Sequence, residues 1–189
     1  MRPQSRAIPQ TDADVIALSR HEPEQFTVLF RRHAPYIQRY VARLGPDAAD
    51  DIVAETFLLA FRQREKYDHS RADARPWLYG ISTNLIGRHR RAEIRLYRAL
   101  ARTGADPVLE PFTDRVDERV SASDVSGQLA AALAKLSAGV RDTLLLAAWG
   151  DLTYAEIATA LGVPVGTVRS RLSRARSKLR QILQQEPQA

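Results

Sequence analysis

The sequence predicts an all-α protein: two small helical domains joined by a flexible acidic linker. Apolar residues recur at steps of three and four through nearly every patterned segment, and no stretch alternates with the period of a strand. These segments form two groups, separated from about Thr103 to Asp124 by a run rich in acids and prolines that has little apolar periodicity. Each group also carries a dense cluster of arginines. The expected division is a disordered N-terminus over 1–11, a first domain over 12–98, a linker over 99–126 and a second domain over 127–186.

The first helix is expected over Asp12 to Ser19, with Val15, Ile16 and Leu18 as its apolar side. A longer one follows from Phe26 to Leu44, where Phe26, Leu29, Phe30, Ile37, Val41 and Leu44 fall at helical spacing. Pro35 bends or breaks it, and Gly45-Pro46 ends it. From Asp47 to about Arg64 the buried side is Ile52, Val53, Phe57 and Phe61. Asp47, Asp50, Asp51 and Glu55 sit in its first turns, where the helix dipole favours negative charge. A break spans Lys66 to Arg71. The next helix starts near Asp73 or Arg75, with Pro76 tolerated in its first turn, and runs into Arg88-His89-Arg90-Arg91. Gly80 and Gly87 weaken it by up to ~1 kcal/mol each relative to Ala.

After the linker, helices resume from Gln128 to Leu136 and from Ser137 to Trp149, closed by Gly150. Thr153-Tyr154-Ala155-Glu156 then has the form of a capping box. Ile157, Ala158 and Leu161 share one face of the helix it opens, and Gly162 suits the left-handed position where helices stop. Beyond Pro164, Val168, Leu172, Ala175 and Leu179 make a single buried stripe. Between them lie Arg169, Ser170, Arg171, Ser173, Arg174, Arg176 and Lys178, with no acid from Arg169 to Arg180. Two short helices and a tight turn, the second helix apolar behind and cationic in front, make a helix-turn-helix. Its recognition helix spans Pro164 to about Leu183. Such a helix fits the major groove, where Arg reads guanine edges and cations displace counterions. An ordinary solvated basic helix would carry acids interleaved at a spacing of four, and here they are missing.

Composition narrows the partners. The chain has 28 Lys and Arg against 22 Asp and Glu, a formal charge of +6, which points to a polyanion, nucleic acid before an acidic membrane. There is no cysteine, so disulfides, thiol catalysis and Cys-ligated zinc are excluded. No secretion signal opens the chain and no apolar run approaches membrane-spanning length, so a cytoplasmic protein without membrane insertion is expected. His21, His33, His69 and His89 are scattered, and no HExxH, phosphate loop or nucleophile elbow accompanies them. No enzyme activity, cofactor or metal is expected.

The charges are segregated. Arginines 88, 90, 91, 95, 98 and 102 face one acid, Glu93. The recognition helix is the second basic cluster, and the tether between them is net acidic. About 30 linker residues reach at most ~100 Å, against ~34 Å for one turn of DNA, so both units can grip one duplex. The tether is repelled by that duplex and calls for a third, positively charged surface on another macromolecule. Near the first cluster, Tyr67 in the break is placed to stack on single-stranded bases, whereas Trp77, in phase with Ile81 and Leu85, reads as core.

Three passages carry a family resemblance. DAADDIVAETFLLAFRQREKY resembles region 2.2 and the start of 2.3, RPWLYGISTNLIGRHRR regions 2.3 to 2.4, and GDLTYAEIATALGVPVGTVRSRLSRARSKLR region 4.2, of the extracytoplasmic-function group of bacterial RNA polymerase sigma factors. The resemblance spans about Asp12 to Leu183. It implies a helical region 2 and a helix-turn-helix region 4, and a dissociable polymerase subunit serving a stress response. It implies docking of Asp51, Glu55 and Leu58 on the clamp helices of the polymerase largest subunit, and of region 4 on the flap of the second-largest. It implies that Gln63, Tyr67 and Asn84 hold a base flipped from the −10 element, with Arg88, Arg90 and Arg91 beside its backbone. Flipping costs a few kcal/mol, which such a pocket offsets. Arg169, Ser170, Ser173 and Arg174 would meet the −35 element, with Arg171 and Arg176 on phosphates. An anti-sigma protein is a further implied partner. Pro164, where many relatives have a capping side chain, and the small Ser173 depart from the family pattern, so the −35 sequence does not carry over. A stand-alone helix-turn-helix regulator is the alternative; it needs neither the acidic helix nor the acidic strap.

Overall fold

The computed structural model describes residues 11–44, 48–103 and 131–185. The first ten residues and positions 104–130, which hold most of the expected linker and the start of the helix expected from Gln128, lie outside them. The described residues form helices α1 (Asp12–Leu18), α2 (Phe26–Ala42), α3 (Ala49–Gln63), α4 (Arg75–Thr103), α5 (Ala138–Trp149), α6 (Tyr154–Leu161) and α7 (Val165–Gln185). There is also a helical turn over 131–134, and 3-10 turns at Pro23–Gln25 and Arg64–Lys66. No strand occurs among the described residues. Chain packing defines two units, Met1–Leu85 and Ile86–Ala189.

Helix α1 opens with a capping box. The Thr11 hydroxyl accepts from Asp14 N–H (3.2 Å), and Asp14 accepts from Thr11 N–H (3.1 Å). Helix α2 runs unbroken through Pro35, whose ring is exposed. Helix α3 begins without a side-chain cap; Asp50 and Asp51 in its first turn compensate the dipole. Asp73 accepts from Arg75 N–H (2.8 Å) at the start of α4.

The core of the first unit is built from Val15 and Ile16 of α1, Leu29, Ile37, Tyr40 and Val41 of α2, Ile52, Val53 and Phe57 of α3, and Leu78, Tyr79 and Leu85 of α4. Edge-to-face rings pin it: Phe26 on Phe61 at 5.3 Å, Phe30 on Phe57 at 4.9 Å, and Tyr40 on Tyr79 at 5.1 Å. The buried Tyr40 hydroxyl meets Thr83 Oγ at 3.0 Å, so this polar pair satisfies itself. Phe30 and Phe61 are less enclosed than their spacing predicts: Phe30 is 45% exposed and Phe61 half-buried.

In the second unit, α7 packs on α5 and α6. Val168, Leu172, Ala175 and Ile182 of α7 are buried with Leu136, Val140, Leu145, Leu146 and Ile157. The predicted capping box of α6 is present: Glu156 accepts from Thr153 N–H (2.7 Å), and Thr153 Oγ accepts from Glu156 N–H (3.3 Å). Gly162 ends α6 at φ +62°, the left-handed conformation expected of it. Pro164 supplies no side-chain cap, but its carbonyl accepts from Thr167 N–H (2.9 Å) and starts α7.

Candidate nucleic-acid interface

Helix α7 is positioned by its apolar stripe. Burying Val168, Leu172, Ala175 and Ile182 turns Arg169, Ser170, Ser173, Arg174, Arg176, Lys178 and Arg180 outward, and all seven are exposed. No acidic side chain forms a salt bridge with these cations among the described residues. Arg174 is oriented along the helix: its Nε donates to Ser170 O and its Nη2 to Ser170 Oγ, both at 3.3 Å. Ser170 and Arg174 therefore present a hydroxyl and a guanidinium as one unit, a suitable pair for a base edge and its neighbouring phosphate.

Arg171 is different. It is half-buried, and its guanidinium lies against Gly139, where an added Cβ would come within 3.0 Å of Cζ. At about 100° per residue Arg171 falls nearer the buried stripe than the exposed face. Its place is a brace between α7 and α5. Close by in sequence, Asp142 has its pKa raised by burial, against the opposing pull of Arg141 and Arg171.

The second basic surface lies on α4. Trp77, Ile81, Asn84, Arg88, Arg91 and Arg95 recur at helical spacing along one side. The first two are half-buried and the other four exposed. The stripe changes from apolar to polar to cationic along its length. Trp77 is thus less a core residue than its phase suggested. Tyr67 is the reverse: it is 6% exposed, set between Trp77 (centroids 5.0 Å apart) and His69 (5.6 Å), and its hydroxyl donates to Arg71 O at 2.7 Å. Burial first, then the charges of Asp12 and Asp73, raise its pKa. In this arrangement Tyr67 fixes the loop, and the exposed ring next to it is His69, which the sequence reading passed over. Gln63 is exposed at the end of α3, four residues before Tyr67.

On α3, Asp51, Glu55 and Leu58 are spaced by four and three and so share a face. Asp51 is exposed, Glu55 half-buried, and Leu58 is 47% exposed. Beside α3, Phe30 of α2 is nearly as open. An acidic face with uncovered apolar side chains suits a protein partner in place of DNA.

Residues 29–103 match the family Sigma-70 region 2, and residues 126–179 match Sigma-70, region 4. The chain is 35% identical over 159 residues to the ECF RNA polymerase sigma factor SigL of Mycobacterium tuberculosis, covering 83% of this chain and 88% of that one. It is an ECF sigma factor of the sigma-70 family. This sigma factor is also 35% identical over 147 residues to the RNA polymerase sigma factor HrpL of Pseudomonas syringae pv. syringae, covering 77% and 78% of the two chains. Among solved structures, CnrH in complex with the cytosolic domain of CnrY aligns with a TM-score of 0.62 and 25% identity over 92% of this chain and 97% of that one. RpoE of Bartonella quintana, in complex with the anti-sigma factor NepR, has the same fold with a TM-score of 0.62, at 23% identity over 86% and 99%. The family is one of transcription-initiation factors that bind core polymerase and promoter DNA. No described helix of this sigma factor is long and apolar enough to cross a membrane.

Proposed function

We propose that this sigma factor divides promoter recognition between two surfaces: α7 reads the duplex −35 element, and α4 with the loop before it engages the separated −10 strand. The observation that carries this is the outward face of α7, on which Arg169, Ser170, Ser173, Arg174, Arg176, Lys178 and Arg180 are exposed and, among the described residues, no acid forms a salt bridge with its cations. In the reading, Ser170, Ser173 and Arg174 reach base edges, and Arg169 and Arg176 hold phosphates as well. Arg171 supports them by bracing the helix. On α4, Asn84 contacts the extruded base, with Gln63 and the loop pinned by Tyr67 forming the pocket. Arg88 and Arg91 neutralise the backbone. The half-buried Trp77 and Ile81 supply the apolar start of that stripe.

Core polymerase docks on the α3 face of Asp51, Glu55 and Leu58. The acidic linker, nominally 99–126, separates domains 12–98 and 127–186 and follows a positively charged path on the polymerase. The factor works in the cytoplasm with the polymerase and has no catalytic activity of its own. An anti-sigma protein is a second partner for the same exposed surfaces; the uncovered Phe30 and Leu58 support that.

The test is reconstitution. Purified chain added to core polymerase is expected to co-elute with it and to direct run-off transcription from a cognate promoter. Charge reversal at Asp51 or Glu55 is expected to weaken that association and leave the circular dichroism spectrum unchanged. Unchanged polymerase affinity in both variants contradicts the docking assignment.

A further inference from the structure

A buried knot lies where α1, α2 and the loop before α4 meet. Asp12 is 7% exposed, and its carboxylate accepts three donors. His33 Nε2 is 2.7 Å from Oδ2, Ala74 N–H donates to the same oxygen at 2.9 Å, and Arg32 donates to Oδ1 at 3.0 Å. The Asp12 main chain adds a fourth bond, its N–H donating to Ala72 O at 3.0 Å. One residue therefore grips Ala72 and Ala74 from outside the loop, and two side chains of α2 grip the residue. Burial pushes the Asp12 pKa up, but the bonds from His33, Ala74 and Arg32 outweigh it and hold the pKa at about 2, so the carboxylate is charged at any working pH.

Within the loop 67–74, Tyr67 donates to Arg71 O and Asp68 accepts from Ser70 and Arg71. At its start, Tyr67 N–H also donates to Arg64 O at 3.3 Å. Asp68 through Ala72 are exposed, between the buried Tyr67 and the buried Ala74. A segment with that profile is held in one shape by its ends. Tyr67 fixes one end and Asp12 the other. Asp12, His33 and Asp73 place ligand atoms within 4.8 Å of one another. The Asp12 oxygens are already engaged, and Asp73 accepts from Arg75 N–H and Nε, at 2.8 and 2.7 Å. The cluster is thus built as a hydrogen-bond clamp.

We infer that Asp12, held by His33 and Arg32, is a positioning residue for −10 recognition: it fixes the C-terminal end of the loop that shapes the base pocket, through Ala72 and Ala74. The inference rests on the −10 reading of that loop given above. It makes the first helix, which carries no basic surface of its own, part of promoter selectivity.

The test uses the full chain bound to core polymerase. Two promoter libraries are transcribed, one randomised in the −10 element and one in the −35 element. A 2-aminopurine in the non-template −10 strand reports unstacking of the base. For Asp12→Ala, discrimination among −10 sequences is expected to fall about tenfold, the scale of one lost base-pair preference. The 2-aminopurine signal is expected to fall with it, while the −35 profile and polymerase affinity stay within about twofold. Asp12→Asn, which keeps an acceptor toward Ala74 N–H but loses the charge-assisted bonds, is expected to lose about threefold. It carries the test if the alanine variant does not fold. A lowered melting temperature with a wild-type −10 profile, in either variant that folds, overturns the inference, as does an equal loss at both elements. Asn84→Ala separates the two layers. If it erases −10 discrimination while the Asp12 variants retain theirs, only the clamp is wrong. If it too leaves −10 discrimination intact, the −10 reading fails and the inference falls with it.

Discussion

The Asp12 carboxylate is held near a pKa of about 2, against 3.8 for an unperturbed aspartate. Because the folded value is the lower one, the stabilisation is complete above the unfolded pKa and disappears as pH falls from about 4 through about 2. The amount is about 2 kcal/mol. Melts of the isolated chain from pH 7 to pH 2 are expected to show this acid limb, and Asp12→Asn is expected to flatten it. An equally steep limb in the variant assigns the acid sensitivity to other carboxylates. At Arg174 the prediction concerns specificity: Arg174→Ala is expected to cost about 1–3 kcal/mol at the preferred −35 sequence and to relax preference at that base pair. A uniform loss across sequences, read by competition binding, marks a phosphate contact instead. The sequence made Arg174 legible, because helical phase alone turns it outward. The same phase places Arg171 toward the buried side, a distinction lost when the cations are read as one block. Asp12 and His33 gave no comparable signal. They are 21 positions apart and meet only because α1 packs on α2.

The turn between α6 and α7 is the element most completely determined by local sequence. A capping box, a left-handed glycine and a proline each specify one backbone feature, and all three agree with the structure. Two substitutions test it. Gly162→Ala places a Cβ at φ +62°, with no atom within 4 Å to clash. The cost is therefore backbone strain alone, about 1 kcal/mol. Thr153→Ala removes the acceptor for Glu156 N–H and is expected to cost about 1 kcal/mol. Both are read as shifts in the thermal midpoint, and both should leave polymerase binding unchanged. By contrast, Leu172→Ala opens the seam beneath the recognition helix and is expected to cost about 2–5 kcal/mol. Helix α4 and the loop before it were less legible. Periodicity identified the helix, but Tyr67 is buried and Trp77 only half-buried, the opposite of the exposure their positions suggest. An aromatic in a sequence break reads as exposed, whereas this one is folded inward by its hydroxyl bond to Arg71 O. Hydrogen bonds to a main-chain carbonyl leave no trace in residue spacing.

Over the whole chain, segregated charge is the organising feature: two cationic helical surfaces, an acidic helix face on α3, and an acidic tether in sequence between the cationic surfaces. Each has a different partner by elementary electrostatics. If the cationic surfaces bind DNA as proposed, their affinity is expected to fall steeply as salt rises, because binding releases counterions. This division was readable from the sequence, since charge clusters and helical phase are both local properties. Promoter recognition by this sigma factor is expected to appear only when the acidic face of α3 is engaged. The most direct measurement is promoter-dependent run-off transcription by core polymerase, with and without this chain, alongside footprinting by the chain alone. Full transcripts with core polymerase present, and no specific footprint from the isolated chain, are predicted. A specific footprint from the isolated chain, with core polymerase neither bound nor redirected, would contradict the account and favour a stand-alone regulator.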